Sequence, residues 1–116
     1  GLAIITLGPR GPVAGWGENL LRVPVFEVDS VDSTGAGDAF CAGVIDFLLD
    51  RPDLNDIQGL SVEAAETMLL NGSAAGAACV TSTGATTAVT RENVDSLTKE
   101  QGDRVRAGFR SGRRLI

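Results

Sequence analysis

A short glycine-rich segment offers the most specific chemistry in this sequence. Thr34 is followed by Gly35, Ala36 and Gly37 and then by the carboxylate of Asp38, directly before an apolar helical pattern. Small residues at the start of a helix leave backbone N–H groups uncovered at the positive end of the helix dipole, which favours a bound anion such as phosphate. A carboxylate there is a poor phosphate ligand, but it could accept a proton from an attacking hydroxyl.

The same segment also has a simpler interpretation as an ordinary glycine-rich loop, in which Asp38 stabilises the helix through its dipole. Two other phosphate-binding loops are excluded, because the chain has neither Gly-x4-Gly-Lys-Ser/Thr nor a complete Gly-x-Gly-x-x-Gly after a strand. The chain has no His and no Tyr, so acid–base chemistry must use carboxylate, Lys, Cys or backbone groups. The residues alone leave both interpretations open.

Three apolar runs precede this loop and predict strands. Residues 2–7 are continuous, apolar and β-branched and predict a buried strand, while 12–16 and 20–28 predict two more around a turn at 17–19. Pro24 suggests that the third strand lies at an edge. Strands that are followed by helices imply an α/β architecture, and the hairpin-like pattern favours a mixed sheet.

Helical spacing of apolar residues predicts a helix at about 36–50 and a second at about 62–80, with Ser61 as its N-cap. The second half of the latter helix is rich in Gly and Ala. Because interior Gly disfavours a helix, such a face makes sense where another helix or a flat ligand comes very close. A turn at 83–86 and a final helix from about 93 complete the pattern.

Composition and charge limit the class of protein. With 116 residues, the chain is one small domain or a piece of a larger one, and its opening without Met favours a piece. No run could span a bilayer and no signal peptide is visible, so we expect a cytoplasmic protein without a membrane partner. Cys41 and Cys79 lie among small apolar residues and are predicted to be buried, reduced thiols.

The charges are unevenly distributed along the chain. Residues 1–103 hold fifteen acidic and five basic residues, whereas 104–116 hold five arginines. A basic tail could bind nucleic acid, but it is more often a solvated helix end or a disordered terminus. The acidic remainder would repel DNA, so we do not expect a nucleic-acid partner.

Residues 32–40 read Asp-Ser-Thr-Gly-Ala-Gly-Asp-Ala-Phe, which resembles the ribokinase (PfkB) family signature Asp-Thr-x-Gly-Ala-Gly-Asp-x-Phe, with Ser33 in place of Thr. Residues 6–11 are similar to the family's Thr-Leu-Gly-x-x-Gly nucleotide loop. Residues 80–85 are similar to its Val-Thr-x-x-Gly-Ala turn. The three matches occur in the family's order and extend over most of the chain.

The resemblance implies a role for individual residues. Asp38 would be the catalytic base, and Gly35, Ala36 and Gly37 would form the anion hole for the migrating phosphate. The implied nucleotide-binding residues are Thr6, Gly8, Gly11 and Ser73, the last where the family often has Asn or His beside the adenine. The groups implied for a monovalent cation, mostly main-chain carbonyls, are those of Asp32, Thr34, Cys79, Ser82, Gly84 and Ala88.

The resemblance also implies a fold and an activity. We expect the C-terminal, ATP-binding part of a ribokinase-like three-layer α/β fold, without the N-terminal sugar-binding part and lid. The intact enzyme would transfer phosphate from ATP, with Mg²⁺ and in some members K⁺, to a hydroxyl of a sugar or nucleoside. We expect the isolated piece to be inactive and to form homo-oligomers. The alternative is a non-catalytic nucleotide-binding module from a degenerate kinase relative.

Overall fold

One antiparallel sheet and three packed helices make up the part of the chain that the computed structural model describes, which is residues 1–51, 59–84 and 87–113. The strands pair in the order β1-β2-β3-β4. The elements are β1 Leu2–Thr6, a 3-10 turn Gly8–Arg10, β2 Pro12–Trp16, β3 Asn19–Arg22, α1 Ala36–Leu49, α2 Val62–Cys79, α3 Arg91–Ala107 and β4 Arg110–Arg113.

The sheet differs from its prediction in pairing and in extent. Every pair of the four described strands is antiparallel, whereas the sequence favoured a mixed sheet. β3 ends at Arg22 rather than at residue 28, although the N–H of Val23 still reaches the carbonyl of Pro12 at 3.1 Å. Pro24 then has no N–H with which to continue the ladder. The sheet gains a fourth strand, β4, from the basic segment that was expected to be a helix end or a disordered terminus.

β1 is the end strand of this sheet, and the prediction that it is buried was wrong. Ile5 is 62% exposed, while Leu2 and Ile4, on the opposite face of the same strand, pack against the core. The outward face continues across the sheet through Val13, which pairs with Ile5, and includes Leu20, which is 41% exposed. An apolar run therefore marks strand β1 correctly but does not show how many of its faces are covered.

The core lies between the inner face of the sheet and α2. Ala14, Trp16 and Leu21 project from the sheet, and Met68 and Leu69 meet them from α2. The indole N–H of Trp16, which is fully buried, donates to the carbonyl of Leu60 at 2.8 Å. This bond provides the partner that a buried Trp needs and fixes the chain just before α2 begins.

α1 and α2 approach so closely that glycine is required at their contact. A Cβ atom at Gly43 would lie 2.7 Å from the Cα of Gly72, and one at Gly72 would lie 2.9 Å from Val44 Cγ2. The side-chain amide of Asn71 donates to the carbonyl of Gly43 at 2.7 Å, which strengthens the same contact. The small-residue face of α2 is thus explained by a neighbouring helix along this half of its length.

A side-chain hydroxyl caps the start of both α2 and α3. Ser61 Oγ accepts the N–H of Ala64 at 3.1 Å, as the sequence predicted. Thr90 Oγ1 accepts the N–H of Asn93 at 3.1 Å, so α3 begins at Arg91 rather than at residue 93. Each cap satisfies an N–H group that lacks an intrahelical partner.

α3 is also tied to α1 by an ion pair. One guanidinium nitrogen of Arg91 lies 2.8 Å from both carboxylate oxygens of Asp46. The hydrogen bond from Arg91 lowers the pKa of Asp46 below its usual value. The pair is largely exposed, so its main effect is on the orientation of α3 rather than on the stability of the fold.

The two cysteines have different environments, although both were predicted to be buried. Cys79 is fully buried, whereas Cys41 is exposed on α1, and both are thiols. Cys41 lies on the side of α1 that faces away from α2, along with Ile45, which is 54% exposed. The apolar spacing correctly predicted the covered side of α1, which includes Phe40 and Val44, but the small apolar neighbours of Cys41 wrongly suggested that its thiol is buried.

The contact between the two helices leads to a stability prediction. Gly43→Ala should lower the free energy of unfolding by roughly 1–3 kcal/mol, because the added methyl group would meet backbone atoms that cannot rotate away. Gly37→Ala is the matched control, since a Cβ there would meet nothing within 4 Å. Urea unfolding of the two variants tests this. Equal stability of both would show that the helices can separate without cost.

Candidate active site

A cleft of about 470 Å³ opens between the sheet and the start of α1. One side is the turn after β1, the second is the extended segment 25–28, and the floor is formed by the small residues of α2. The residues predicted to bind nucleotide that line it are Thr6, Gly8, Gly11 and Ser73. The structure therefore brings together all four of them, from two separate parts of the chain.

Two glycines shape the side of the cleft that follows β1. Gly8 and Gly11 have φ values of 58° and 79°, in the left-handed region that favours glycine. A Cβ atom at Gly11 would overlap the carbonyl oxygen of Val23, so only glycine lets the turn close against the sheet. Gly8 faces open space, which leaves its backbone accessible from the cleft.

The start of α1 is open to the cleft and has no side-chain cap. Gly35 is the N-cap residue, with φ 80° and ψ 2°, and it has no side chain that could cap the helix. Ala36 and Gly37 line the cleft, and a Cβ atom at Gly37 would meet nothing within 4 Å. The N–H of Ala36 already donates to the carbonyl of Ser33 at 3.2 Å, and the N–H of Ala39 donates to that of Gly35 at 2.9 Å. Because the first N–H groups of a helix lack intrahelical partners, those of Gly37 and Asp38 are the ones that this end of α1 can offer to an anion.

Asp38 lies in the first turn of α1 but does not line the cleft. Its side chain is exposed, and its negative charge, together with that of Asp32, acts on Cys79. The carboxylate therefore lies near the open end of the helix on a different side from the cleft. A molecule in the cleft and a second molecule beside Asp38 could meet at the N–H groups between them.

The loop before α1 is held by Asp32. One carboxylate oxygen accepts the N–H of Thr34 at 3.0 Å and its hydroxyl at 2.7 Å, and the other accepts the N–H of Gly84 at 3.3 Å. The hydrogen bond from the Thr34 hydroxyl, followed by the two backbone bonds, lowers the pKa of Asp32. The carbonyl of Val80 accepts the N–H of Val31 at 2.7 Å and so joins the loop to the turn after α2.

Cys79 provides a further link between α2 and this loop. Its thiol donates to the carbonyl of Thr34 at 3.3 Å. Burial, and then the charges of Asp32 and Asp38, raise the pKa of Cys79. Cys79 therefore stays a neutral thiol, which can donate a hydrogen bond, whereas a thiolate could not.

The residues predicted to hold a monovalent cation are only partly brought together. Asp32 accepts hydrogen bonds from Thr34 and Gly84, and the thiol of Cys79 donates to the carbonyl of Thr34. The hydroxyl of Ser82 is buried in the same turn and has no partner among the described residues. Ala88 is different, because its carbonyl already accepts the N–H of Thr90 at 3.1 Å and the amide of Asn93 at 2.8 Å.

The chemistry of these groups fits a weakly bound cation held by main-chain oxygens. Within residues 1–51, 59–84 and 87–113, no three His, Cys, Asp or Glu side chains are grouped so as to hold a metal ion. An oxygen-rich turn beside an ionised carboxylate suits a hard cation that tolerates carbonyl ligands. Part of the predicted turn, residues 85 and 86, lies outside the described residues.

Sequence reasoning missed one side of the cleft. Val25, Phe26 and Val28 line it, although the pattern placed them in a strand. Ser33 also lines the cleft from the loop before α1. The break in the ladder at Pro24 was the available signal, because an apolar segment that leaves a sheet must cover something else.

The comparisons with known proteins identify the family. The model of the pfkB family carbohydrate kinases matches residues 1–92. The chain is 42% identical over 86 residues to the aminoimidazole riboside kinase of Salmonella typhimurium, a match that covers 74% of this chain and 25% of that protein. The chain belongs to the pfkB family of carbohydrate kinases.

Solved structures agree with this assignment and establish the ribokinase-like α/β fold. Aminoimidazole riboside kinase from Salmonella enterica, complexed with aminoimidazole riboside and an ATP analog, matches with a TM-score of 0.68 and 33% identity over 83% of this chain and 31% of that one. A double-mutant fructokinase from Vibrio cholerae with fructose, ADP and a potassium ion matches with a TM-score of 0.70 and 26% identity. The match covers 83% of this chain and 30% of the fructokinase chain.

The chain thus spans between a quarter and a third of the length of these relatives. The family match ends within the first turn of α3, so most of α3 and all of β4 follow the matched residues. Among the described helices, none combines the length and the apolar character needed to cross a membrane.

The bonds of Asp32 lead to a prediction about pH. A carboxylate whose pKa is lower in the folded state contributes stability above the unfolded value of 3.8, and this is lost as the pH falls through the folded value. Asp32→Asn should therefore be less stable than wild type at pH 7, because an amide nitrogen would face the N–H of Gly84. The difference should shrink steadily below pH 4.

Thermal unfolding of the Asp32→Asn variant between pH 7 and pH 3 measures this effect. Asp103→Asn, which removes an exposed carboxylate of α3, is the matched control and should follow wild type throughout. A stability difference for Asp32→Asn that stays constant with pH would mean that the ionised carboxylate does not hold the loop.

Proposed function

We propose that this chain is the C-terminal, ATP-binding part of a longer kinase that transfers phosphate from ATP to a hydroxyl of a sugar or nucleoside. The observation that carries the proposal is the uncapped start of α1, where Ala36 and Gly37 face the cleft and Asp38 lies in the same turn. Named relatives support the substrate class, since one is complexed with aminoimidazole riboside and another with fructose.

The cleft would bind the nucleotide, with its phosphates at the start of α1. Two of the relatives are complexed with an ATP analog or ADP. Ser73 supports a base contact, because its hydroxyl is buried at the cleft without a partner among the described residues. A bound base could supply that missing hydrogen bond.

The chemistry that Mg²⁺ would supply is neutralisation of part of the phosphate charge. Among the described residues no group of three His, Cys, Asp or Glu side chains could hold the ion, so it would bind together with the nucleotide.

Asp38 would act as the base from outside the cleft, since it does not line it. The acceptor hydroxyl would attack the γ-phosphorus and lose its proton to the Asp38 carboxylate, while the bond from phosphorus to the bridging oxygen of ADP breaks. The N–H groups at the start of α1 would hold the transferring phosphoryl group. Gly37 leaves room for it, since a side chain there would project into open space.

A potassium ion would bind at the turn after α2, where Asp32, Thr34 and Gly84 are joined. The fructokinase relative with a bound potassium ion supports this class of cation. The buried hydroxyl of Ser82 is the described group that lacks a partner there. Because the same turn anchors the loop before α1, a bound cation would stabilise the anion hole indirectly.

The acceptor site and a lid would come from polypeptide beyond these residues. The chain spans only part of its relatives, and its exposed apolar residues indicate surfaces that a larger protein would cover. The most exposed of them are Ile5, Val31 and Leu49. Use of ATP and the presence of two reduced thiols favour a cytoplasmic enzyme.

Two other functions are less well supported. A non-catalytic nucleotide-binding module would explain the cleft but gives no reason for Asp38. A nucleic-acid binder would need a free basic tail, whereas Arg104 and Arg106 are engaged with Val25, Gln101, Thr67 and Glu66. Residues 114–116 of that tail lie outside the described part of the chain.

The roles of Asp38 and Gly37 can be separated by mutation. In the longer enzyme, Asp38→Asn should lower turnover by about 10²–10⁴-fold and leave ATP affinity little changed, because an amide cannot accept the proton. Gly37→Val should weaken nucleotide binding itself, since its side chain would occupy the anion hole. Turnover and nucleotide affinity, measured for both variants, test the assignment.

Each variant should fold, because a Cβ atom at Gly37 would meet nothing within 4 Å and Asp38→Asn keeps the size and shape of an exposed side chain. Near-normal turnover of Asp38→Asn would contradict its role as the base and favour the non-catalytic module. Loss of nucleotide binding in Asp38→Asn, to the extent expected for Gly37→Val, would mean that Asp38 belongs to the phosphate site instead.

The exposed end strand leads to a prediction about association. β1 has a free hydrogen-bonding edge within the described sheet, with neither charge nor proline along it, and such edges pair with other chains. The 116-residue chain should therefore self-associate. It should also show no useful kinase turnover, because the proposed acceptor site would come from polypeptide beyond these residues. Ile5→Lys should favour the monomer in sedimentation experiments. A clean wild-type monomer at high concentration would count against an exposed pairing edge.

A further inference from the structure

One side of the cleft is a backbone segment that no strand supports. Residues 24–28 continue from β3 but pair with none of the four described strands. Their side chains nevertheless include Val25, Phe26 and Val28, which line the cleft. Because unpaired backbone groups tend to leave a segment free to move, something else must hold it.

α3 provides that support through the side chain of Gln101. Its amide oxygen accepts the N–H of Glu27 at 2.8 Å, and its amide nitrogen donates to the carbonyl of Glu27 at 2.7 Å. A primary amide thus offers Glu27 the donor and acceptor that a peptide group of a neighbouring strand would offer. Both bonds are short and involve the same residue of the segment.

Two neighbouring contacts lie on the same face of α3. Arg104 donates to the carbonyl of Val25 at 3.2 Å and to the amide oxygen of Gln101 at 2.7 Å, which fixes the orientation of that amide. Further along, a Cβ atom at Gly108 would lie 2.8 Å from Pro24 Cγ, so the end of α3 packs directly on the segment. Positions 101, 104 and 108 follow the helical repeat.

We propose that Gln101 is a positioning residue for the nucleotide cleft: its amide replaces a strand partner for Glu27 and so fixes the side formed by residues 25–28. This inference rests on the proposed nucleotide-binding role of the cleft. It also gives α3, most of which lies beyond the residues that the family model matches, a part in forming the site.

Substitutions at Gln101 can separate this role from simple packing. Gln101→Glu keeps the oxygen that accepts the Glu27 N–H, but at pH 7 its second oxygen would face the Glu27 carbonyl without a proton. Below about pH 4 a protonated Glu can donate again, as the amide does. The charged residues next to the side chain at position 101 are Arg104 on α3 and Glu27 in the segment. Gln101→Met keeps the length of the side chain and has no titratable group.

The experiment measures hydrogen exchange at the Glu27 amide and ADP affinity in the same set of variants. At pH 7, Gln101→Glu loses one of the two bonds, and repulsion between its second oxygen and the Glu27 carbonyl should loosen the other; it should raise Glu27 exchange and weaken ADP binding by about two- to tenfold, the factor for one lost hydrogen bond. Gln101→Met loses both bonds and should have the larger effect on both measurements. Toward pH 4, Glu27 exchange and ADP affinity in Gln101→Glu should return toward the wild-type values, while those in Gln101→Met should not, so the two variants should differ more than at pH 7. Glu100→Met, on the exposed side of α3, should match wild type.

Unchanged Glu27 exchange in Gln101→Met, or no recovery of Gln101→Glu in acid, would overturn the proposal. Faster exchange with unchanged ADP affinity would also overturn it, since the clamp would then not position the cleft. If wild type binds no ADP at all, the proposed nucleotide function fails, and Glu27 exchange still decides separately whether Gln101 holds the segment.

Discussion

The close contact between α1 and α2 is the constraint on which the candidate site depends. Along α2, Gly72 and Gly76 lie one helical turn apart, and the nearest α1 atom to an added Cβ would be 2.9 Å away at Gly72 and 3.3 Å away at Gly76. Gly76 meets the carbonyl of Ala36, at the very start of α1. The position of the proposed anion hole relative to the cleft floor is therefore set by backbone contact, which side-chain rotation cannot relax.

The small residues of α2 have two roles at different positions along the helix: they allow close contact with α1, and they line the cleft. Gly72 admits α1 through Phe40 and Val44, whereas Ser73, Gly76 and Ala77 line the cleft. The sequence left open whether a helix or a flat ligand explains this face. A neighbouring helix occupies part of it, and the rest forms a shallow floor with one buried hydroxyl, which suits a planar group better than a long side chain.

The sequence predicted the positions of the helices well because their patterns are local. Ser61 begins α2 through its own hydroxyl, and the apolar spacing around Phe40 and Val44 marks α1 directly. The sheet was predicted less well. Whether Ile5 is covered, and which strand pairs with Arg110, depends on segments that are distant in sequence. β4 pairs with β3 across almost the whole chain, and no local pattern reveals such a pairing.

The candidate site shows the same division. Gly37 could be singled out from residue types and spacing, because a phosphate at the start of a helix favours small residues, whereas Asp32 was predicted through the resemblance to the family motif. Gln101 could not, since its role depends on Glu27, which lies 74 positions earlier in the chain. Asp38 was predicted as the base from the motif, and the side of α1 that it faces follows from the packing of α1.

The start of α1 also shows where stability and function conflict. α2 and α3 begin with hydroxyl caps, each of which typically stabilises a helix by about 1 kcal/mol, while α1 begins with Gly35 and no side-chain cap. Any hydroxyl or carboxylate cap would occupy the N–H groups that face the cleft. The helix instead depends on its contact with α2 and on the hydrogen bonds of Asp32 to hold its first turn. The uncapped helix therefore requires the glycine contact, and that contact leaves the N–H groups available for an anion.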